Sequence, residues 1–175
     1  MCSSDLLYNL LMRKNVVFFS SSTLADHFCQ CGDTMTQNKK SAAHVYTVEL
    51  RFSGFLLEPS EISARLDLQP SNTFSQSQDQ TITKKRRSYW AYNGQGEIGF
   101  QSEWTCLEDG LGFLLKSLYS RKAEIIAIAR HFDGIWWCGH FQSSFDGGPI
   151  LSPKLLIEIG SYGVPLSIDN YFSDE

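Results

Sequence analysis

The side chains with the greatest chemical reach form one basic run, Lys84-Lys85-Arg86-Arg87, followed at once by Tyr89, Trp90 and Tyr92. Four adjacent cations could grip the phosphates of a nucleic acid or an acidic partner protein, with the aromatic rings as stacking surfaces. The plainer reading is a solvated loop end leading into an edge strand, where basic side chains discourage edge-to-edge pairing. The formal net charge of −4 favours that reading, because no global basic field exists to hold DNA or an anionic membrane.

A second candidate is a thiol and an imidazole, Cys138 and His140, two residues apart and therefore on one side of a strand. A cysteine beside a histidine can serve as a nucleophile, which would make the protein a small hydrolase or transferase. No glycine turn for an oxyanion hole and no orienting acid accompany the pair. Cys106 follows Trp104 on an expected core helix and reads as a small buried hydrophobe. Gly94-Gln95-Gly96 and Gly147-Gly148 lack the strand, the spacing and the lysine of a phosphate loop.

The 5 cysteines are odd in number and scattered, which suits free thiols in a reducing cytoplasm better than a disulfide framework. Cys29-Gln30-Cys31 is too tight for a zinc knuckle, and no second Cys or His pair lies at zinc-finger distance. No catalytic residue, metal ligand or cofactor is therefore assigned. The candidates kept for binding are Lys84, Lys85, Arg86, Arg87, Trp90, Trp136 and His140.

These groups need a scaffold, and the composition supplies one. Hydrophobic residues make up 42% and charged residues 19%, with 12 Phe, 7 Tyr and 4 Trp, so a packed core is expected. No apolar run approaches the roughly 18 to 20 residues of a membrane span, and a cytoplasmic location is expected. Residues 1–40 stand apart. Arg13 and Lys14 precede only Val16 to Phe19, the wrong length for a secretory signal. Cys2-Ser3-Ser4-Asp5-Leu6 resembles the translation of a short sequencing adapter, so this leader is expected to be disordered or artefactual, with Met35 a candidate start.

Order in the pattern begins at His44. Tyr46, Val48, Leu50 and Phe52 alternate with polar residues, which makes a half-buried strand ended by Gly54. Pro59 opens a helix with Ile62 and Leu66 inward, and Pro70 forbids its continuation. Ser71 to Arg87 reads as a long loop, and Ser88 to Tyr92 as a second strand turning at Asn93-Gly94. Ser102 is the expected N-cap of the main amphipathic helix, carried by Leu107, Leu111, Leu114 and Leu118.

Ala123 to His131 and Ile135 to Ser143 read as two strands of a hairpin whose tip is Asp133-Gly134. That register sets His131 opposite Trp136 and His140 opposite Ala127, too far apart to chelate one ion. It puts Ile126, Ile128, Trp137 and Phe141 on the core face and Trp136, Cys138 and His140 on the other. Ser152-Pro153 caps a third helix with Leu155, Leu156 and Ile159 inward, and Val164 to Tyr171 gives the last strand. The expected order is β-α-β-α-β-β-α-β. This is an α+β domain over 44–172 with a mainly antiparallel sheet, helices on one face, and a ferredoxin-like sandwich as the nearest type.

The segment Ile62-Ser-Ala-Arg-Leu-Asp-Leu-Gln-Pro70, Trp90 after the loop, and the helix after Glu103 resemble the bacterial Domain of Unknown Function 4279 family. The likeness continues through Leu151-Ser-Pro-Lys-Leu-Leu, Gly163 and Ile168-Asp-Asn-Tyr-Phe172. Where that family carries a glycine in the loop after Pro70, Ser71 to Lys85 has none. The resemblance implies no activity, cofactor or catalytic residue. Three functions are expected in descending order. The first is a non-catalytic protein-binding or regulatory module, such as an inhibitor or immunity protein, presenting an aromatic patch that includes Trp90 and Trp136. The others are a Cys/His enzyme and a nucleic-acid binder.

Overall fold

Alternating side chains from His44 to Gly54 build the strand around which everything else is arranged. The computed structural model describes residues 44–76 and 86–172. The expected leader, together with Lys84 and Lys85, lies outside the described residues. Strand β1 (His44–Gly54) buries Tyr46, Val48, Leu50 and Phe52 and leaves Thr47, Glu49, Arg51 and Ser53 partly exposed on its other side. After it come α1 (Pro59–Leu66), β2 (Asn72–Phe74), β3 (Ser88–Tyr92) and α2 (Leu107–Leu118). A 3-10 turn, Tyr119–Arg121, leads into α3 (Lys122–Ala129), followed by β4 (Asp133–Gln142), α4 (Pro153–Gly160) and β5 (Leu166–Phe172).

The five strands form one sheet in the order β2-β3-β1-β4-β5. β1 runs antiparallel to β3 and β4, β2 antiparallel to β3, and β5 parallel to β4. The domain is α+β with a mixed, mostly antiparallel sheet, and this arrangement does not bear out the ferredoxin-like order. One continuous core joins the Tyr46–Phe52 side of β1 to Ile62 and Leu66 of α1, the leucines of α2, Ile125 and Ile128 of α3, and Leu155 and Ile159 of α4. The opposite side of the sheet contributes nothing to that core.

Several local signals work as expected. Pro59 sits in the first turn of α1. Leu107, Leu111, Leu114 and Leu118 are all buried along α2. Ser152 caps α4, its hydroxyl accepting from the Leu155 N–H at 3.3 Å and donating to Glu108 Oε1 at 2.6 Å.

The expected hairpin is wrong. Ala123 to His131 is largely helix α3, with Ile125 and Ile128 spaced for a helical inner face. A short run of alanine and isoleucine satisfies both periods, so periodicity cannot decide it. The chain enters it from α2 through a single 3-10 turn, and its alanines favour continuation as helix. The order is therefore β-α-β-β-α-α-β-α-β. Asp133-Gly134 is no hairpin tip but the start of β4, opposite Ser53 and Phe52.

Losing the hairpin reverses the faces of β4. Trp136, Cys138 and His140 are buried because they stand opposite Leu50, Val48 and Tyr46, the core residues of β1. Trp137 and Phe141 occupy the other face, since one residue of register exchanges every side chain. Three smaller expectations also fail. α2 is capped by Cys106 in extended conformation rather than by Ser102, because Trp104 bridges instead to Tyr46. Leu156 of α4 is exposed, and a short strand, β2, lies within the expected loop.

Candidate functional site

With the helices on one side, the polar alternates of β1 meet the non-core residues of its neighbours on the open face. Glu49 pairs across with Trp137 of β4, and Arg51 lies between Ala91 of β3 and Ile135. Arg51 Nε donates to Glu49 Oε2 at 2.7 Å, and its guanidinium carbon stands 3.5 Å above the centre of the Trp137 ring. Such a cation over an indole contributes about 0.5–1 kcal/mol where exposed and more where water is excluded. The Trp137 indole N–H donates to Asp169 Oδ2 of β5 at 2.6 Å, which fixes the ring from the other side.

A glycine makes this possible. A Cβ on Gly139 would lie 2.7 Å from Thr47 Oγ1, 2.8 Å from Trp137 Cη2 and 3.0 Å from Phe141 Cε2, so the bare backbone is the bed on which Trp137 rests. Tyr89 of β3 completes the cluster 5.8 Å from Arg51. Burial pushes the Tyr89 phenol above its ordinary 10.0, with the Glu49 carboxylate adding to the rise and Arg51 opposing it.

The segment between β3 and α2 folds over one side of this cluster. Tyr46 and Trp104 exchange two backbone hydrogen bonds of 2.8 Å, tying that segment alongside β1. Together they enclose a recess of about 250 Å³ between Thr47, Glu49, Arg51 and Trp137 on the sheet and Asn93, Phe100, Gln101 and Ser102 above. Thr47 Oγ1 is buried and has no hydrogen-bond partner among the described residues. Nε makes the one hydrogen bond of Arg51 among the described residues, which leaves its terminal nitrogens as donors.

The residues singled out in the sequence are not brought together. Arg86 stands over the Phe74 ring at 4.5 Å, and Arg87 pairs with Asp133 and donates to the Ser53 carbonyl at 3.2 Å. Both arginines fasten the start of β3 to its neighbours. Trp90 and Trp136 are fully buried, so neither forms part of a surface patch. The Trp90 indole N–H donates to Ser63 Oγ at 3.0 Å, and Trp136 packs edge-on against Tyr162 at 5.3 Å.

His140 is also buried, and both its nitrogens are engaged, Nδ1 with Asn170 Oδ1 at 2.8 Å and Nε2 with His44 Nδ1 at 2.9 Å. It has no nitrogen left for Cys138. Burial pushes the Cys138 thiol up to about 12; nearby Arg51 works against that rise and Asp169 with it. A thiol held neutral, away from the recess and without a base, is no nucleophile. Among the described residues no group of three His, Cys, Asp or Glu side chains is placed to hold a metal ion.

Sequence reasoning missed Glu49, Arg51, Trp137 and Asp169. The polar alternation of β1 showed that Glu49 and Arg51 share a face, but the reversed β4 register placed Trp137 in the core.

Fold and site define a helix-backed α+β sheet with an open, polar-aromatic face. The family model described as Domain of unknown function (DUF4279) matches residues 44–173, and the chain belongs to that family. No curated protein and no solved structure matches it. Among the described residues no helix is long and apolar enough to cross a membrane.

Proposed function

We propose that this domain is a non-catalytic binding module that recognises another protein through its open sheet face, with Arg51 and Trp137 as the anchor. The recess beside them carries the reading. At about 250 Å³ it lies below the ~300–1,000 Å³ of sites that enclose small molecules, and suits one side chain of a partner. Arginine and tryptophan are the residue types on which interface energy concentrates. Here they are fixed in advance by Glu49 and Asp169, so docking would cost little side-chain entropy. Among the described residues Cys106 and Cys138 are free thiols, which fits a role in a reducing cytoplasm, as a regulatory or inhibitor-type partner would have.

The test is capture of partners by the immobilised full chain from a lysate of its source cells. Arg51→Ala and Trp137→Ala are run beside it, and circular dichroism monitors folding. A stoichiometric protein that binds the native chain and is lost by both folded variants supports the reading. Retention by both variants, or the absence of any stoichiometric protein, ends it.

A further inference from the structure

The recess on the open face is rich in hydrogen-bond donors, and donors select what can enter it. Arg51, on its sheet side, is a donor through every nitrogen and can never accept. Glu49 Oε2 takes the Nε hydrogen at 2.7 Å, and among the described residues nothing takes those of the two terminal nitrogens. The guanidinium carbon stands 3.5 Å above the Trp137 ring, so the fork is held in place before any ligand arrives.

Across the recess, Asn93 is oriented by its neighbour. The Gln95 backbone N–H can only donate, and it donates to Asn93 Oδ1 at 2.9 Å, which leaves the hydrogens of Asn93 Nδ2 to give. The Thr47 hydroxyl, on the sheet side, has no partner among the described residues. Glu49 is the one acid among the described lining residues, and it is already engaged by Arg51.

A planar, negatively charged pair of acceptors satisfies such a set. A carboxylate takes two parallel bonds from the terminal nitrogens of a guanidinium, and bonds to a charged acceptor are roughly twice as strong as neutral ones. A carboxamide fills one arm of the fork, and an ammonium meets Arg51 as a like charge. The rim points to a protein as the carrier. Ile98, two residues before Phe100 of the recess wall, is fully exposed. It is held there by backbone bonds from Glu97 to the Gly94 carbonyl, 3.0 Å, and from Phe100 to the Glu97 carbonyl, 3.1 Å. A fixed apolar side chain beside a fixed arginine gives a polypeptide two kinds of contact at once, which a free small acid cannot use.

We propose that the recess takes the carboxylate of a partner's Asp or Glu side chain, held end-on by both terminal nitrogens of Arg51. This deepens the binding reading above and rests on it. Glu49 tempers the attraction, because its own charge already sits against the same guanidinium.

Proton–nitrogen spectra of the full chain test the inference, read at the Trp137 indole N–H and the Arg51 Nε–H. The probes are aspartate and glutamate capped as N-acetyl N-methylamides, beside capped asparagine, glutamine and lysine, each to about 100 mM at constant ionic strength. At least one acid is expected to shift both resonances saturably, with about tenfold higher affinity than its own amide. In Glu49→Gln, whose amide oxygen can still accept from Arg51 Nε, acid binding is expected to tighten about three- to tenfold. Amides or lysine binding as tightly as the acids, or no acid shifting either resonance, overturns the proposal. Unchanged or weaker acid binding in Glu49→Gln, shown folded by circular dichroism, also overturns it. Each failure is distinct from that of the binding reading. A partner captured from lysate while amides match acids ends this inference alone. Acid binding with no protein captured ends the binding reading, and the partner with it, while the preference for a carboxylate stands.

Discussion

Trp136 and Trp137 are consecutive, yet they sit in opposite environments, and the difference separates what holds this domain together from what it offers outward. Trp136 is fully buried between β1 and the helices, edge-on to Tyr162, and its indole nitrogen has no partner among the described residues. Trp137 lies flat over Gly139, held by Asp169 at one edge and capped by Arg51. The first is positioned by packing alone and tolerates an orphaned N–H. The second is positioned by directed polar contacts. A side chain used for packing and one prepared for contact with a partner would differ in this way.

The contrast breaks most sharply at Trp136→Ala, expected to lower stability by about 3–5 kcal/mol in urea unfolding, since the cavity would open at the centre of the core. A loss below that of Trp137→Ala would reverse the assignment of faces. Gly139→Ala comes next, at about 1–3 kcal/mol, because the new methyl must displace Thr47, Trp137 or Phe141. Its signature is a changed Trp137 emission in the native state, which an undisturbed spectrum would refute.

Alkaline titration probes the buried side differently. The unfolded chain gives up the Cys138 proton near 9.0, whereas the folded chain holds it to about 12, so between those values the unfolded state binds fewer protons. Stability should therefore fall as pH rises above 9.0, by up to about 1.4 kcal/mol per pH unit. Tyr92 adds to the fall from its ordinary 10.0, being raised to about 12 by burial and then by Glu97. Cys138→Ala should remove the earlier part of the decline and leave the later one, as read from denaturation midpoints across that range.

Removing the cation from the open face should register least in stability. Arg51→Ala is expected to cost about 0.5–1 kcal/mol, the worth of a partly exposed cation over an aromatic ring. Under the proposed binding function, its larger expected consequence is the loss of partner capture. A variant that unfolds would instead assign Arg51 to the structural side of the comparison.

The sequence by itself determined the elements whose instructions are local. Alternation set the inward face of β1, Pro59 and the Ile62/Leu66 spacing made α1, four leucines made α2, and Ser152-Pro153 began α4. Each rests on neighbours within one or two turns, or on a strict period, so the chain states it without reference to anything distant. Tertiary structure decided the rest. Residues 122–129 suit either period, and the direct exit from α2 selected the helix. Trp136-Trp137 puts a large aromatic on each side of β4, so alternation could not say which faces the core. Only pairing with β1 did, by setting Trp136 against Leu50. The recess and the histidine pair follow from that one register. Their members come from β1, β4, β5 and the segment between β3 and α2, and no spacing along the chain encodes a meeting between strands.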